Sequence, residues 1–294
     1  MSFLLRSMMF VPGHNEKLMK NAVNTIADSL ILDIEDSVVP DNNKIKAREL
    51  IIEKLKEGLF KNKQIFIRVN DRESGHMLED VTKLTLDGIT GFVYPKTKIP
   101  EDIYFFDKLL EVIEYERGYE IGKFKIVPLM ETTSAILNAE KICKVSNRVI
   151  AISFGCEDFV SDLCGLHDIE GKSIYTPRTI LAMAARSTGK IPIDTVNIKV
   201  HDLNILENNI KLSRVLGFEG MLVLHPKELE LVHKYYTPSE QEILDAQTMI
   251  DLSNCAMKEG KGVAVYNGKF IGPPMVKSAK KIIKRDKMIK KLKL

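Results

Sequence analysis

Residues 30–40 read LILDIEDSVVP and put three carboxylates, Asp33, Glu35 and Asp36, at the end of an apolar, branched run. Leu30, Ile31, Leu32 and Ile34 suit a strand covered on both faces. Acids crowding its exit need an offset: the unpaired N–H groups of a following helix, a cationic side chain, or a bound cation. The same arrangement recurs along the chain. Pro12-Gly13, Arg68 and Asn70, Lys96, Glu131, Glu157 and Asp158, and His225 each follow a short apolar run. Ionisable groups at this many run ends suit one shared pocket better than separate structural roles.

The elements that must carry these residues are eight β-branched runs: 8–12, 29–35, 64–70, 91–96, 125–131, 149–155, 193–199 and 220–226. Between them, helical periodicity predicts helices over 15–27 (capped by Asn15), 44–57, 76–87, 101–116, 133–143, 176–188 and 204–215. Alternating strands and helices imply a parallel sheet, and eight units favour a closed TIM (β/α)8 barrel over an open doubly wound sheet. No GxGxxG turn follows any strand, which also disfavours the open form. In a barrel the carboxyl ends of the strands share one rim, where chemistry sits. We therefore assign residues 1–226 to a barrel domain. Residues 227–294 form a small helical lid or oligomerisation segment, with a capping-box break at TPSE (237–240), a hairpin-type turn within 259–274 and a basic terminal helix.

Composition sets outer bounds. With 45% hydrophobic and 28% charged residues the chain is globular in type, and it has no apolar run long enough to cross a membrane. The first residues lack the features of a secretory signal, so a cytoplasmic protein with reduced thiols is expected. Cys143, Cys156, Cys164 and Cys255 show neither CxxC spacing nor zinc-finger histidines, against a disulfide framework or structural zinc. The net charge of +3 divides unevenly, since residues 277–294 hold nine Lys and Arg against one Asp. That tail reads as an amphipathic basic helix, and without interleaved aromatics no nucleic-acid or membrane partner is expected.

Nine segments taken in order, RSMMFVPG (6–13), LDIEDSV (32–38), KAR (46–48), FIRVN (66–70), YPK (94–96), LMET (129–132), FGCED (154–158), LGFEGMLVLHP (216–226) and YTPSEQEILDA (236–246), resemble the citrate lyase β-subunit family within the HpcH/HpaI aldolases. That family includes malyl-CoA and citramalyl-CoA lyases. The resemblance implies a TIM barrel with a C-terminal lid, trimeric or hexameric assembly, and Mg²⁺-dependent cleavage or formation of a C–C bond beside a thioester. The partners it implies are a CoA or acyl-carrier thioester and a 2-keto acid. By position, it makes Glu131 and Asp158 the metal carboxylates and Arg68 the group on the reacting carbonyl. Pro12, Gly13, Lys96 and Gly155 are expected to line the substrate with Arg68, while Glu35 and Asp36 are expected to act with Arg68 in catalysis, accepting hydrogen bonds from metal-bound waters and pairing with Arg68 or Lys96 without binding the ion. The alternatives are a rim ion pair for Glu35 and Asp36, and helix capping for Glu131 and Asp158.

Physical chemistry supports the same set. Mg²⁺ prefers one or two protein carboxylates and several exchangeable oxygens, which leaves room for a chelating keto acid. Retro-Claisen cleavage develops negative charge on two oxygens, and a permanently charged guanidinium suits one of them. Three positions depart from the family pattern: Ile271-Gly272 replaces the usual Ile-Asp of the lid, Met221 a lysine and Glu228 a glutamine. With no lid acid, the proton carrier is expected to be Glu35, Asp36 or a metal-bound water. Thioesterase or malate synthase-like chemistry, or a non-catalytic binding barrel, are the competing readings. Cys156 is not expected to act as a nucleophile, and for His225 a satisfied hydrogen bond at the end of the last strand fits as well as a catalytic role.

Overall fold

A computed structural model describes residues 3–168, 171–199, 202–260 and 262–292. The strands β1 (Ser7–Pro12), β2 (Ser29–Asp33), β3 (Gln64–Arg68), β4 (Gly91–Tyr94), β5 (Lys125–Met130), β6 (Ala151–Phe154), β7 (Ile191–Asp194) and β8 (Gly220–Val223) close into a single eight-stranded barrel. Every neighbouring pair is parallel, including β8 with β1. The (β/α)8 fold expected from the alternation of elements is the one observed.

Strand side chains alternate between the barrel interior and the helical layer. Met8, Ile31, Phe66, Val93, Val127, Leu129, Ala151, Ile193 and Leu222 fill the interior. Residues of the opposite parity meet the helices: Phe92 packs edge-on against Phe106, on the helix Pro100–Glu116, with ring centroids 5.7 Å apart. Both faces are therefore dry, and all five residues of β2 are buried, which explains its unbroken apolar run.

Two adjacent helices, Thr133–Leu137 and Ala139–Lys144, occupy the expected 133–143, divided at Asn138. The side-chain amide of Asn138 donates to the Ser134 carbonyl at 3.0 Å, a local bond that competes with helix continuation. Strand β7 begins two residues and ends five residues earlier than expected, because Ile191-Pro192-Ile193-Asp194, not Val196-Asn197-Ile198, pairs with β6 and β8. A short helix, Cys156–Asp162, follows β6 and has no counterpart among the expected elements. Glu35 and Asp36 lie in the loop after β2, which ends at Asp33.

The chain divides into two compact units, essentially Phe3–His233 and Lys234–Leu294. Within the second, the helices Glu240–Lys258 and Pro273–Leu292 flank an antiparallel hairpin, β9 (Ala264–Tyr266) and β10 (Lys269–Ile271). Asn267 and Gly268 at its tip both have positive φ (48° and 73°), as the tight turn requires. Ser239 and Glu242 form a reciprocal capping box at the start of the first helix. Among the described residues, no helix is long and apolar enough to cross a membrane.

Candidate active site at the carboxyl rim

Strand register builds the site. Ile31 faces Phe66 across β2 and β3, and two residues further on Asp33 faces Arg68. The interior column of side chains thus ends at the rim in an acid beside a guanidinium. Arg68 Nε and Nη2 donate to the two Asp33 oxygens, both at 2.7 Å. Its Nη1 lies 2.9 Å from Glu35 Oε2 and 3.1 Å from Asp36 Oδ2. The Phe10 ring sits beneath, 4.9 Å from the guanidinium carbon, an attractive cation–π arrangement. Burial alone would push the Arg68 pKa down, but Asp33, Glu35 and Asp36 outweigh it and hold the charge firmly in place. Burial likewise acts to raise Asp33, yet Arg68 and the Ser37 and Glu35 N–H groups keep it below the ordinary carboxylate range.

The β1 turn is fitted to the same acid. Gly13 N–H donates to the Asp33 carbonyl at 2.7 Å, and a side-chain carbon at position 13 would fall 2.7 Å from that oxygen. Only glycine lets the first turn close so tightly.

Lys96, after β4, joins the two halves of the rim. Its backbone is left-handed (φ 48°), which costs a residue with a Cβ about 1–2 kcal/mol. In this conformation its N–H donates to Glu131 Oε1 at 2.5 Å, while its ammonium lies 3.2 Å from Glu35 and 3.4 Å from Asp71. Glu35 is thus buried between two cations at ion-pair distance, yet neither of its oxygens accepts a well-aligned hydrogen bond. Burial pushes its pKa up to about 7, with Arg68 and Lys96 opposing and Asp36 adding to the rise. A carboxyl poised near neutrality can both give and take a proton.

Glu131, after β5, is buried, and its pKa is pushed up to about 8 by desolvation and by the nearby charges of Glu35 and Asp158, against the Lys96 N–H and Arg68. Asp158 lies on the first turn of the helix after β6. Gly155 immediately precedes that helix, and a Cβ there would stand 2.6 Å from Glu131 Oε2 and 2.8 Å from Glu131 Cβ. The β5 carboxylate is therefore pressed against the backbone of the next strand's exit.

At the mouth, Asp33, Glu35 and Asp36 pair with Arg68, Glu35 and Asp71 pair with Lys96, and Asp158 adds its charge near Glu131. Among the described residues, no group of three or more His, Cys, Asp or Glu side chains could by itself hold a metal ion. Two carboxylates with the remaining positions left to water and substrate is the pattern Mg²⁺ accepts, and a divalent ion would offset the repulsion that raises Glu131. The residues present fit that ion. Beside Lys96, Asp71, Arg72, Ser74, Tyr94 and Asp102 line a hollow of about 430 Å³.

Several roles and partners are not evident from residue types at the run ends. Asp33, not Glu35 or Asp36, takes the two-pronged contact with Arg68. Asp71 is a second partner of Lys96. Behind them Lys44 donates to Asn70 Oδ1, Asn70 donates to Asp80 at 2.7 Å, and Arg48 donates to Asp80 at 2.6 Å, a buried polar chain that ties the helices Asn42–Lys56 and Met77–Leu84 to the β3 exit. His225 Nδ1 accepts from Lys227 N–H at 3.1 Å, a structural contact. Burial raises the Cys156 thiol to about 11, against a nucleophilic role.

Residues 6–226 match the HpcH/HpaI aldolase/citrate lyase family. The citrate lyase β subunit of Haemophilus influenzae is 31% identical over 284 residues, 97% of each chain. An L-malyl-CoA/β-methylmalyl-CoA lyase of Rhodobacter capsulatus is 27% identical over 308 residues, covering 98% of this chain and 96% of that one. The fold is also that of a citrate lyase structure from Burkholderia xenovorans, with a TM-score of 0.86 at 20% identity over 97% of this chain and 92% of the other. A further likeness, at a TM-score of 0.76 and 20% identity over 96% and 97% of the two chains, is to CitE of Mycobacterium tuberculosis in complex with magnesium, acetoacetate and coenzyme A. The chain belongs to the HpcH/HpaI aldolase/citrate lyase family.

Proposed function

We propose that the protein is a Mg²⁺-dependent carbon–carbon lyase that splits a β-hydroxyacyl thioester into a 2-keto acid and a shorter acyl thioester. The observation that carries this reading is the rim cluster: a buried guanidinium fixed by Asp33, a buried Glu131 pressed against Gly155 with the charge of Asp158 nearby, and Glu35, an acid near neutrality, beside Arg68 and Lys96. Relatives named as citrate lyase β subunit and malyl-CoA lyase support it, as does a structural likeness crystallised with magnesium and coenzyme A.

Glu131 and Asp158 would hold the ion. When bound, Mg²⁺ supplies Lewis-acid polarisation of the carboxylate and hydroxyl oxygens of the substrate. The chain's own residues do the rest. Arg68 keeps two N–H groups on Asp33 and turns Nη1 toward the open side, where the exposed Asp36 is the partner a substrate oxygen can displace. Negative charge growing on the thioester oxygen meets a cation that cannot deprotonate. Glu35 takes the hydroxyl proton and returns one to the departing carbon, the role the lid acid has in relatives and which Gly272 cannot fill. Lys96 holds Glu35 in place through its ammonium and Glu131 through its N–H. In the same reading residues 227–294 serve as the lid and assembly segment of a homotrimer or hexamer, which light scattering would check.

Incubation of the protein and Mg²⁺ with malyl-CoA, citramalyl-CoA and citryl-CoA, with keto-acid release followed, tests the activity. Turnover of one of them, abolished by Glu131→Gln, is expected. Tight Mg²⁺ and keto-acid binding with no turnover of any would refute the thioester reading and favour the non-catalytic barrel suggested by Gly272.

A further inference from the structure

The helix that carries Asp158 begins in an unusual way. Gly155 is its first flanking residue, in extended conformation (φ −103°, ψ 93°), and has no side chain with which to cap the exposed N–H groups. No larger residue can stand there, because a Cβ would collide with Glu131. The position that normally supplies a Ser, Thr or Asp oxygen is therefore closed by the approach of Glu131 to Gly155.

A side chain from another strand takes over. Thr195, just past the end of β7, accepts a hydrogen bond from Cys156 N–H at 3.2 Å. Thr195 is itself held: its N–H donates to Asp194 Oδ1 at 2.9 Å, and Asp194 is gripped by Arg178 Nε at 3.1 Å and Nη2 at 2.5 Å. Arg178, Asp194, Thr195 and Cys156 are all buried. The line runs from the helix Lys172–Thr188 through the β7 exit to the first residue of the helix after β6, two residues before Asp158.

We propose that Thr195 is the cap that fixes the helix turn carrying Asp158, and so is a positioning residue for the divalent-cation site. This rests on the reading that those two carboxylates hold the ion. Thr195 touches neither substrate nor ion; its hydroxyl fixes the backbone from which Asp158 extends, with Asp194 and Arg178 as its backing. Partners that orient ligands from behind typically alter metal affinity about 10–100-fold when removed.

The test titrates the full chain with Mn²⁺, reading free ion by its paramagnetic resonance signal, alongside melting of the metal-free protein. Thr195→Val keeps the shape and removes the acceptor; about tenfold weaker Mn²⁺ binding is expected. Thr195→Ser, which keeps the oxygen, is expected to bind nearly as the parent does. Should Thr195→Val not fold, Thr195→Ala takes its place with the same expectation. Thr195→Val binding Mn²⁺ within twofold of the parent, while Asp158→Asn loses binding, would overturn the inference and leave the cation reading intact. A lowered melting temperature with unchanged Mn²⁺ affinity would do the same, since it marks a purely structural cap. If neither Asp158→Asn nor Glu131→Gln weakens Mn²⁺ binding, the cation reading itself fails and this inference falls with it.

Discussion

Arg68 and Asp33 stand opposite each other on β3 and β2 and are joined through two hydrogen bonds of 2.7 Å, both groups buried. The pair is a platform: it uses two of the five guanidinium donors and leaves Nη1 toward Glu35, Asp36 and the mouth. Its geometry explains why a point charge would be a poor replacement. Arg68→Lys should fold but lose at least about 100-fold in turnover, because a lysine cannot bridge both Asp33 oxygens and still face the substrate. Arg68→Ala should cost about 3–5 kcal/mol in urea unfolding by stranding Asp33. Equal stabilities for the two variants would contradict this account.

The pH dependence of stability has two arms of opposite sign. Asp33 has a folded pKa below its ordinary value of 3.8, so its contribution is present above that value and is lost as the pH falls through the folded pKa. Glu35 and Glu131 have folded pKa values raised from 4.5 to about 7 and about 8, so the native state retains protons that the unfolded chain releases. Stability of the metal-free protein should therefore decline as the pH rises from about 4.5 to 8. Glu35→Gln should flatten the part of that decline below about pH 7, and Mg²⁺ should oppose it most at the alkaline end. Melting temperatures across this range, with chelator and with Mg²⁺, check both signs.

Gly155→Ala introduces a carbon 2.6 Å from Glu131 Oε2. Overpacking of this kind costs about 1–3 kcal/mol, and the strand exit must shift to relieve it. The variant should melt lower and bind Mn²⁺ at least tenfold more weakly. Unchanged Mn²⁺ affinity would show that the close approach of Glu131 to Gly155 does not shape the site.

At position 96 backbone and side chain pull apart. Lys96→Gly relieves the left-handed conformation by about 1 kcal/mol but removes the ammonium from Glu35 and Asp71. Stability should change little while turnover falls steeply. Lys96→Ala keeps the strain and loses the charge, so it should be the less stable of the two by about 1 kcal/mol. Denaturant midpoints paired with steady-state kinetics separate the two contributions.

The barrel was legible in the sequence because apolar runs and helical periods alternate eight times, and the rim acids were legible because each follows such a run. Asp33 was harder to read. It lies inside LILDI, and its role becomes visible only once the register opposite Arg68 is known. Thr195 follows a rule the sequence does contain: Ile31, Phe66, Leu129 and Ile193 are interior residues, and the residues two further on are Asp33, Arg68, Glu131 and Thr195. Placing β7 at 193–199 hid it, since the polar TVNIK segment has strand-like β-branching but does not pair. The helix Cys156–Asp162 was missed because Gly155 offers no capping side chain and the capping oxygen comes from 39 residues away. Polar chains such as Arg48–Asp80–Asn70–Lys44 join three segments, and nothing local announces such partnerships.

The surplus of acids over bases at the mouth has a kinetic consequence. An anionic substrate approaching the bare rim meets its own sign of charge, focused by the dry wall of the barrel, whereas a divalent ion is drawn inward. Loading should therefore be sequential, with metal entering before acid. Apparent substrate affinity should then rise with Mg²⁺ concentration until the ion saturates, and a substrate affinity indifferent to Mg²⁺ would rule this order out.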